Sequence, residues 1–154
     1  MTLKGEKAPE FKLPGNGETQ ISFPTNKPSV LYFYPKDDTP GCTTQGKTFS
    51  ELKPQFDALG VDIIGVSPDP VAKHDKFVAK HDLTIALASD PEHIALTAYG
   101  VWVEKSMYGR KYMGVERSTF LVAADGTVVE EWRKVRVKGH VEAVLDAAKA
   151  HFGG

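Results

Sequence analysis

Apolar and polar positions along the chain alternate in short runs that change period several times. Phe11-Lys-Leu-Pro-Gly-Asn-Gly-Glu-Thr-Gln-Ile-Ser-Phe23 alternates on both sides of Gly15-Asn16-Gly17, which predicts a β-hairpin, expected at a sheet edge. Val30-Leu-Tyr-Phe-Tyr34 is continuously apolar and aromatic, too short for a typical helix and rich in strand formers, so it predicts a buried central strand. Val61-Asp-Ile-Ile-Gly-Val66 predicts a second buried strand. Thr84-Ile-Ala-Leu-Ala88 predicts a third, less strongly because of its alanines. Ser118-Thr-Phe-Leu-Val-Ala123, the Asp125-Gly126 turn and Thr127-Val-Val-Glu-Glu-Trp132 form the strongest hairpin signal in the chain.

Helical spacing takes over between these strands. Phe49, Leu52, Phe56 and Leu59 recur every three or four residues up to Gly60, with Pro54 expected to kink or split the helix. Ser67-Pro-Asp-Pro70 leads into a short helix carrying Val71, Phe77 and Val78. Ser89-Asp-Pro-Glu92 supplies a helix cap followed by proline at the first helical position, for a helix through Ala98 that Gly100 stops. The stretch 101–116 is polar and contains glycine, and it reads mostly as strand ends and loop. A last helix from His140 to Phe152 puts Val141, Val144, Leu145, Ala148 and Phe152 on one face. Strands that alternate with helices, followed by a hairpin and a final helix, define an α/β sandwich with a mixed central sheet.

Composition narrows this picture. The 154 residues suit one domain spanning 1–154, and 41% hydrophobic with 25% charged residues is ordinary for a globular chain. Nineteen basic against twenty acidic side chains create no long-range field for nucleic acid or an anionic membrane, so neither is expected as a partner. The first ten residues hold no apolar signal region and no apolar run approaches the ~20 residues of a membrane span, which makes the cytoplasm the expected compartment. The five histidines, at 74, 81, 93, 140 and 151, form no ligand spacing; they are expected at the surface, and no metal or other cofactor is expected. Trp102 and Trp132 are expected to be packing residues.

The single cysteine, Cys42, is the residue on which chemistry turns. A lone cysteine is commonly a small buried hydrophobe, and it has no partner here for an intramolecular disulfide. Its setting argues for more. It falls where the loop Pro35-Lys-Asp-Asp-Thr-Pro-Gly41 hands over to a helix, so its sulfur can lie in the first turn, where free N–H groups and the helix dipole favour a thiolate.

The loop resembles a known family. Pro35-Lys-Asp-Asp-Thr39-Pro-Gly-Cys42-Thr43 is similar to the Pro-x-x-x-Thr-x-x-Cys active-site loop of peroxiredoxins. The longer string from Phe33 to Thr43 resembles the bacterioferritin-comigratory or Q-type subgroup, as do Gly5-Glu-Lys-Ala-Pro-Glu-Phe11, Ile64-Gly-Val-Ser67 and Gly109-Arg-Lys-Tyr-Met-Gly-Val-Glu-Arg-Ser-Thr-Phe-Leu121. The resemblance implies a thioredoxin-like fold extended by the N-terminal hairpin, and a thiol peroxidase acting on hydrogen peroxide and organic hydroperoxides. It implies Cys42 as nucleophile, Thr39 offering its hydroxyl to the thiolate and the peroxide, and Pro35 shielding the pocket wall. Arg117 would be the guanidinium that favours the thiolate and polarises the peroxide. Gly41 and Cys42 would add backbone donors, and Gln45, where the subgroup often has glutamate, would give support within the helix turn. Many subgroup members carry a resolving cysteine five residues after the first, where this chain has Lys47, or in a later helix, where residues 71–82 hold none. The sulfenic acid formed on Cys42 must then be reduced by an external thiol such as thioredoxin, glutaredoxin or a small thiol. The subgroup resemblance also suggests a monomer or weak homodimer. The alternative reading is a thioredoxin-fold redox sensor or holdase without efficient turnover.

Overall fold

The structure is a computed structural model that describes residues 2–153; Met1 and Gly154, the ends of the domain expected over 1–154, lie outside the described residues. Its frame is a seven-stranded mixed sheet in the order β2-β1-β5-β4-β3-β8-β9. The strands are β1 (Phe11–Gly15), β2 (Thr19–Phe23), β3 (Ser29–Phe33), β4 (Asp62–Ser67), β5 (Ala86–Ser89), β8 (Ser118–Val122) and β9 (Val128–Trp132). The expected hairpin, β1–β2, closes one edge. β3 lies in the interior of the sheet beside the middle strand β4, parallel to β4 and antiparallel to β8, and all five of its residues are buried, as its unbroken apolar run requires.

The alternation of side chains about β3 sorts the core into two layers. Leu31 and Phe33 point to one face, with Phe120, Val122, Ile64, Val66 and helix α3 (Ile94–Ala98). Val30 and Tyr32, with Tyr34 just beyond the strand, point to the other, where α1 (Pro40–Ala58), α2 (Val71–His81) and α4 (His140–Phe152) cover the sheet through Phe49, Phe56, Phe77, Val144 and Ala148. Gly65, paired with Tyr32 across β3 and β4, is required there: a Cβ would come within 2.7 Å of the Tyr32 ring. The ring therefore lies over β4 and stacks on Phe49 with centroids 4.6 Å apart.

Four sequence expectations need correction. The stretch 101–116 is mainly a second, two-stranded sheet, β6 (Trp102–Met107) paired with β7 (Arg110–Val115) through a Tyr108-Gly109 turn. Most of its side chains are at least partly exposed on both faces, so no period-two pattern marks it. Pro54 does not split α1, which is helical from 40 to 58; the proline faces solvent, where water can meet the carbonyl it leaves unpaired. The helix expected right after Ser89-Asp-Pro begins only at Ile94, where the Asp90 carboxylate accepts the N–H groups of Ile94 and Leu96, each at 2.9 Å. The histidines are not all surface residues: His74 and His140 are buried. Each has hydrogen-bond partners that offset the cost of its burial.

Candidate active site

The loop leaving β3 turns into α1 at Thr39, whose backbone is still extended (φ −90°, ψ 156°), and Pro40 occupies the start of the helix, where its missing N–H costs nothing. Cys42 is then in the first turn, as expected, and only 2% exposed. Arg117 reaches it from the segment before β8: its Nη2 donates to Cys42 Sγ at 3.2 Å. Its other terminal nitrogen, Nη1, donates to Oε1 of Gln45, one turn along α1 from the cysteine. Gly41 leaves room for this approach, since a Cβ there would sit 3.3 Å from Nη2. Thiol, guanidinium and amide thus form one contiguous cluster. The Gln45 amide nitrogen, buried beside it, finds no hydrogen-bond partner among the described residues.

Pro35 and Thr39, the other expected residues of the loop, make no hydrogen bond to the sulfur. Pro35 and Arg117 line a groove of about 610 Å³ together with Val103, Val115, Lys134 and Val135. Thr39 is half-buried at the loop end, and its hydroxyl donates to the Lys36 carbonyl at 2.8 Å. That bond uses the proton and leaves the oxygen's lone pairs free. Behind the cysteine the wall is aromatic. Burial pushes the Tyr32 hydroxyl well above its ordinary pKa, with the charges of Cys42 and Asp37 adding and that of Arg117 opposing.

Two buried groups escaped the sequence reading. His140 Nε2 lies 2.8 Å from the Thr119 hydroxyl, on β8 two residues beyond Arg117, and its ring meets Trp132 edge-on. Burial first, then the Arg117 charge, lowers its pKa to about 4 against a weaker pull from Glu142. Asp37, in the loop itself, is buried against His74 of α2. A signal for His74 existed: it falls on the inward stripe of α2 between Val71 and Phe77, where a polar residue needs a partner. No cluster of three or more histidine, cysteine or acidic side chains suited to a metal occurs among the described residues, and no helix there is long and apolar enough to cross a membrane.

A cysteine in the first turn of the helix that follows a buried interior strand of a mixed sheet is the arrangement of thioredoxin-like thiol enzymes. Residues 4–131 match the AhpC/TSA family, and the chain belongs to it. Peroxiredoxin Bcp of Bacillus subtilis is 49% identical over 152 residues, 97% of each chain. Peroxiredoxin Bcp of Xanthomonas campestris is 48% identical over 141 residues, 92% of this chain and 88% of that one. A solved structure of Xanthomonas campestris peroxiredoxin Q superimposes with a TM-score of 0.88 at 48% identity, covering 92% of this chain and 90% of that one. Another, of the bacterioferritin comigratory protein from the same organism, concerns alkyl peroxide reduction and gives the same score and identity over 92% and 91% of the two chains. The expected Q-type subgroup, thioredoxin-like fold and thiol peroxidase activity are thereby borne out.

Proposed function

We propose that Cys42 is the peroxidatic nucleophile and that the cycle it begins is completed by a thiol from outside the chain. The thiolate attacks one oxygen of hydrogen peroxide or an organic hydroperoxide. An S–O bond forms as the O–O bond breaks, sulfur gives up two electrons, and the departing oxygen leaves as water or alcohol after taking a proton. Arg117 stabilises the thiolate and the charge that builds on the peroxide, the Gly41 and Cys42 N–H groups add fixed donors, and Gln45 holds the guanidinium in place. Thr39 presents its hydroxyl oxygen to the peroxide and Pro35 keeps water from one wall. The observation that carries this reading is the Arg117 Nη2 contact to Cys42 Sγ, because a permanent fork of donors on a helix-start sulfur has no packing purpose. The alkyl peroxide reduction described for the Xanthomonas relative supports organic hydroperoxides as substrates.

With one cysteine in the sequence, the sulfenic acid meets an incoming thiol, loses water to form a mixed disulfide, and is released by a second thiol. Thioredoxin, glutaredoxin with glutathione, and small thiols are the candidate reductants for a single-domain, cytoplasmic monomer or weak homodimer that needs no bound cofactor. The test is sub-stoichiometric peroxide mixed with reduced protein, followed by turnover with each reductant in turn. Oxidation of Cys42 far faster than a free thiol is expected, with sulfinic acid accumulating under excess peroxide. Oxidation at the rate of a free thiol would defeat the proposal, and an intermolecular Cys42 disulfide as the only product would replace the external thiol with a second copy of the chain.

A further inference from the structure

We infer that Asp37 and His74 form a buried positioning pair that holds the loop between β3 and α1 in its reactive shape. The inference rests on the reading of Cys42 as nucleophile. Pro35 and Thr39 each lie two residues from Asp37, so whatever fixes Asp37 fixes both. Lys36 and Asp38 on either side of it are exposed, yet Asp37 turns inward and is only 8% exposed. Its Oδ1 accepts the Tyr34 hydroxyl at 2.6 Å, its Oδ2 meets His74 Nδ1 at 2.6 Å, and its backbone N–H donates to Asp69 at 2.8 Å.

His74 is wholly buried and closes the chain of contacts on the far side. Its Nε2 lies 2.9 Å from the Ala88 carbonyl, which can only accept, so Nε2 carries a proton. A second proton then lies between Nδ1 and Oδ2, on whichever partner holds it. The pair leaves neither ring nitrogen and neither carboxylate oxygen unpartnered, which is the condition for burying such groups at all. Mechanically it runs from β5, through α2, to the middle of the loop. The carboxylate and imidazole make no hydrogen bond to the Cys42 sulfur or the Arg117 guanidinium, so their effect on the reaction passes through the loop. Catalysis that depends on a fixed approach of peroxide to sulfur is sensitive to such support, since a shift of ~1 Å can cost on the order of a hundredfold in rate.

Two reactions of the same sulfur separate positioning from general stability. Hydrogen peroxide needs the loop; alkylation by iodoacetamide needs the thiolate but neither the Thr39 hydroxyl nor the Pro35 wall. In the full chain, His74→Gln is expected to slow Cys42 oxidation by hydrogen peroxide about tenfold or more while alkylation stays within about twofold. Asp37→Asn/His74→Gln should fall no further than His74→Gln alone, because the two act as a unit. Oxidation within twofold of the unaltered protein, or oxidation and alkylation falling together, would overturn the inference. Should these variants not fold, Tyr34→Phe removes only the outer bond to Asp37 and should still slow oxidation severalfold without slowing alkylation; an unchanged oxidation rate there overturns the inference equally. Failure of the underlying reading would show itself in the unaltered protein, as oxidation no faster than that of a free thiol.

Discussion

Two regions meet at Arg117, one packed behind it and one lining the groove beside it, and they are built on opposite terms. On the packed side the start of α1 and the buried strand β8 are tied by side-chain hydrogen bonds: Cys42 to Arg117, Arg117 to Gln45, Thr119 to His140. On the other side the β6–β7 ribbon contributes Val103 and Val115 at its base and then runs out into solvent, where Met107, Tyr112 and Met113 are about half exposed and Tyr108 is 99% exposed. Side chains on the first side are fixed by several neighbours each; those near the ribbon tip have few. The difference teaches that the hydrogen bonds fixing geometry at the sulfur come from the packed wall, and the ribbon adds none to them.

That contrast can be broken most directly at Arg117. Arg117→Ala removes the donor on the sulfur, and peroxide oxidation of Cys42 is expected to fall about 10²–10³-fold in stopped-flow measurements, the loss typical of one fixed donor in a reacting site. Thr119→Val strips the hydroxyl from buried His140 and should cost about 1–3 kcal/mol in denaturant unfolding.

A third outcome concerns pH. His140 has a pKa of about 4 in the fold against about 6.5 in an unfolded chain, so the unfolded state binds its proton first. The stability tied to its neutral form is complete above pH 6.5 and is lost as pH falls from there towards 4. Unfolding curves across that window should show the decline, and His140→Gln should flatten it. Arg117→Ala should narrow the window, because the Arg117 charge is one cause of the depression. The smallest effect belongs to the ribbon: Tyr108→Ser should leave stability within about 0.5 kcal/mol and the hydrogen peroxide rate unchanged. A large loss there would erase the distinction between the two walls.

Much of this architecture is legible in the sequence because local chemistry and burial agree. Val30 to Tyr34 reads as a central strand since every position is apolar, and the hairpins declare themselves through Gly15-Asn16-Gly17 and Asp125-Gly126. The cysteine loop is legible through Pro35, Thr39 and Cys42. Arg117 is another matter: nothing local separates it from Arg110, Arg133 or Arg136, and only the family resemblance singles it out. The ribbon is hidden because a strand pair exposed on both faces needs no alternation. The pairing of Asp37 with His74 is hidden even though the inward stripe of α2 marks His74, because the burial of each is acceptable only in the presence of the other, and 37 positions separate them. The late start of α3 is hidden because the Asp90 carboxylate reaches forward to the N–H groups of Ile94 and Leu96, four and six residues on.

The separation of Cys42 from Arg117 by 75 residues sets a schedule for the protein's birth. At the usual ~5–20 residues added per second, a nascent chain carries its thiol for roughly 4–15 s before the arginine is even made. During that interval β3 also lacks β8, its neighbour on one side, so the sheet that seats α1 cannot close. The sulfur therefore leaves the ribosome before its guanidinium partner exists and meets it only when the last quarter of the polypeptide arrives.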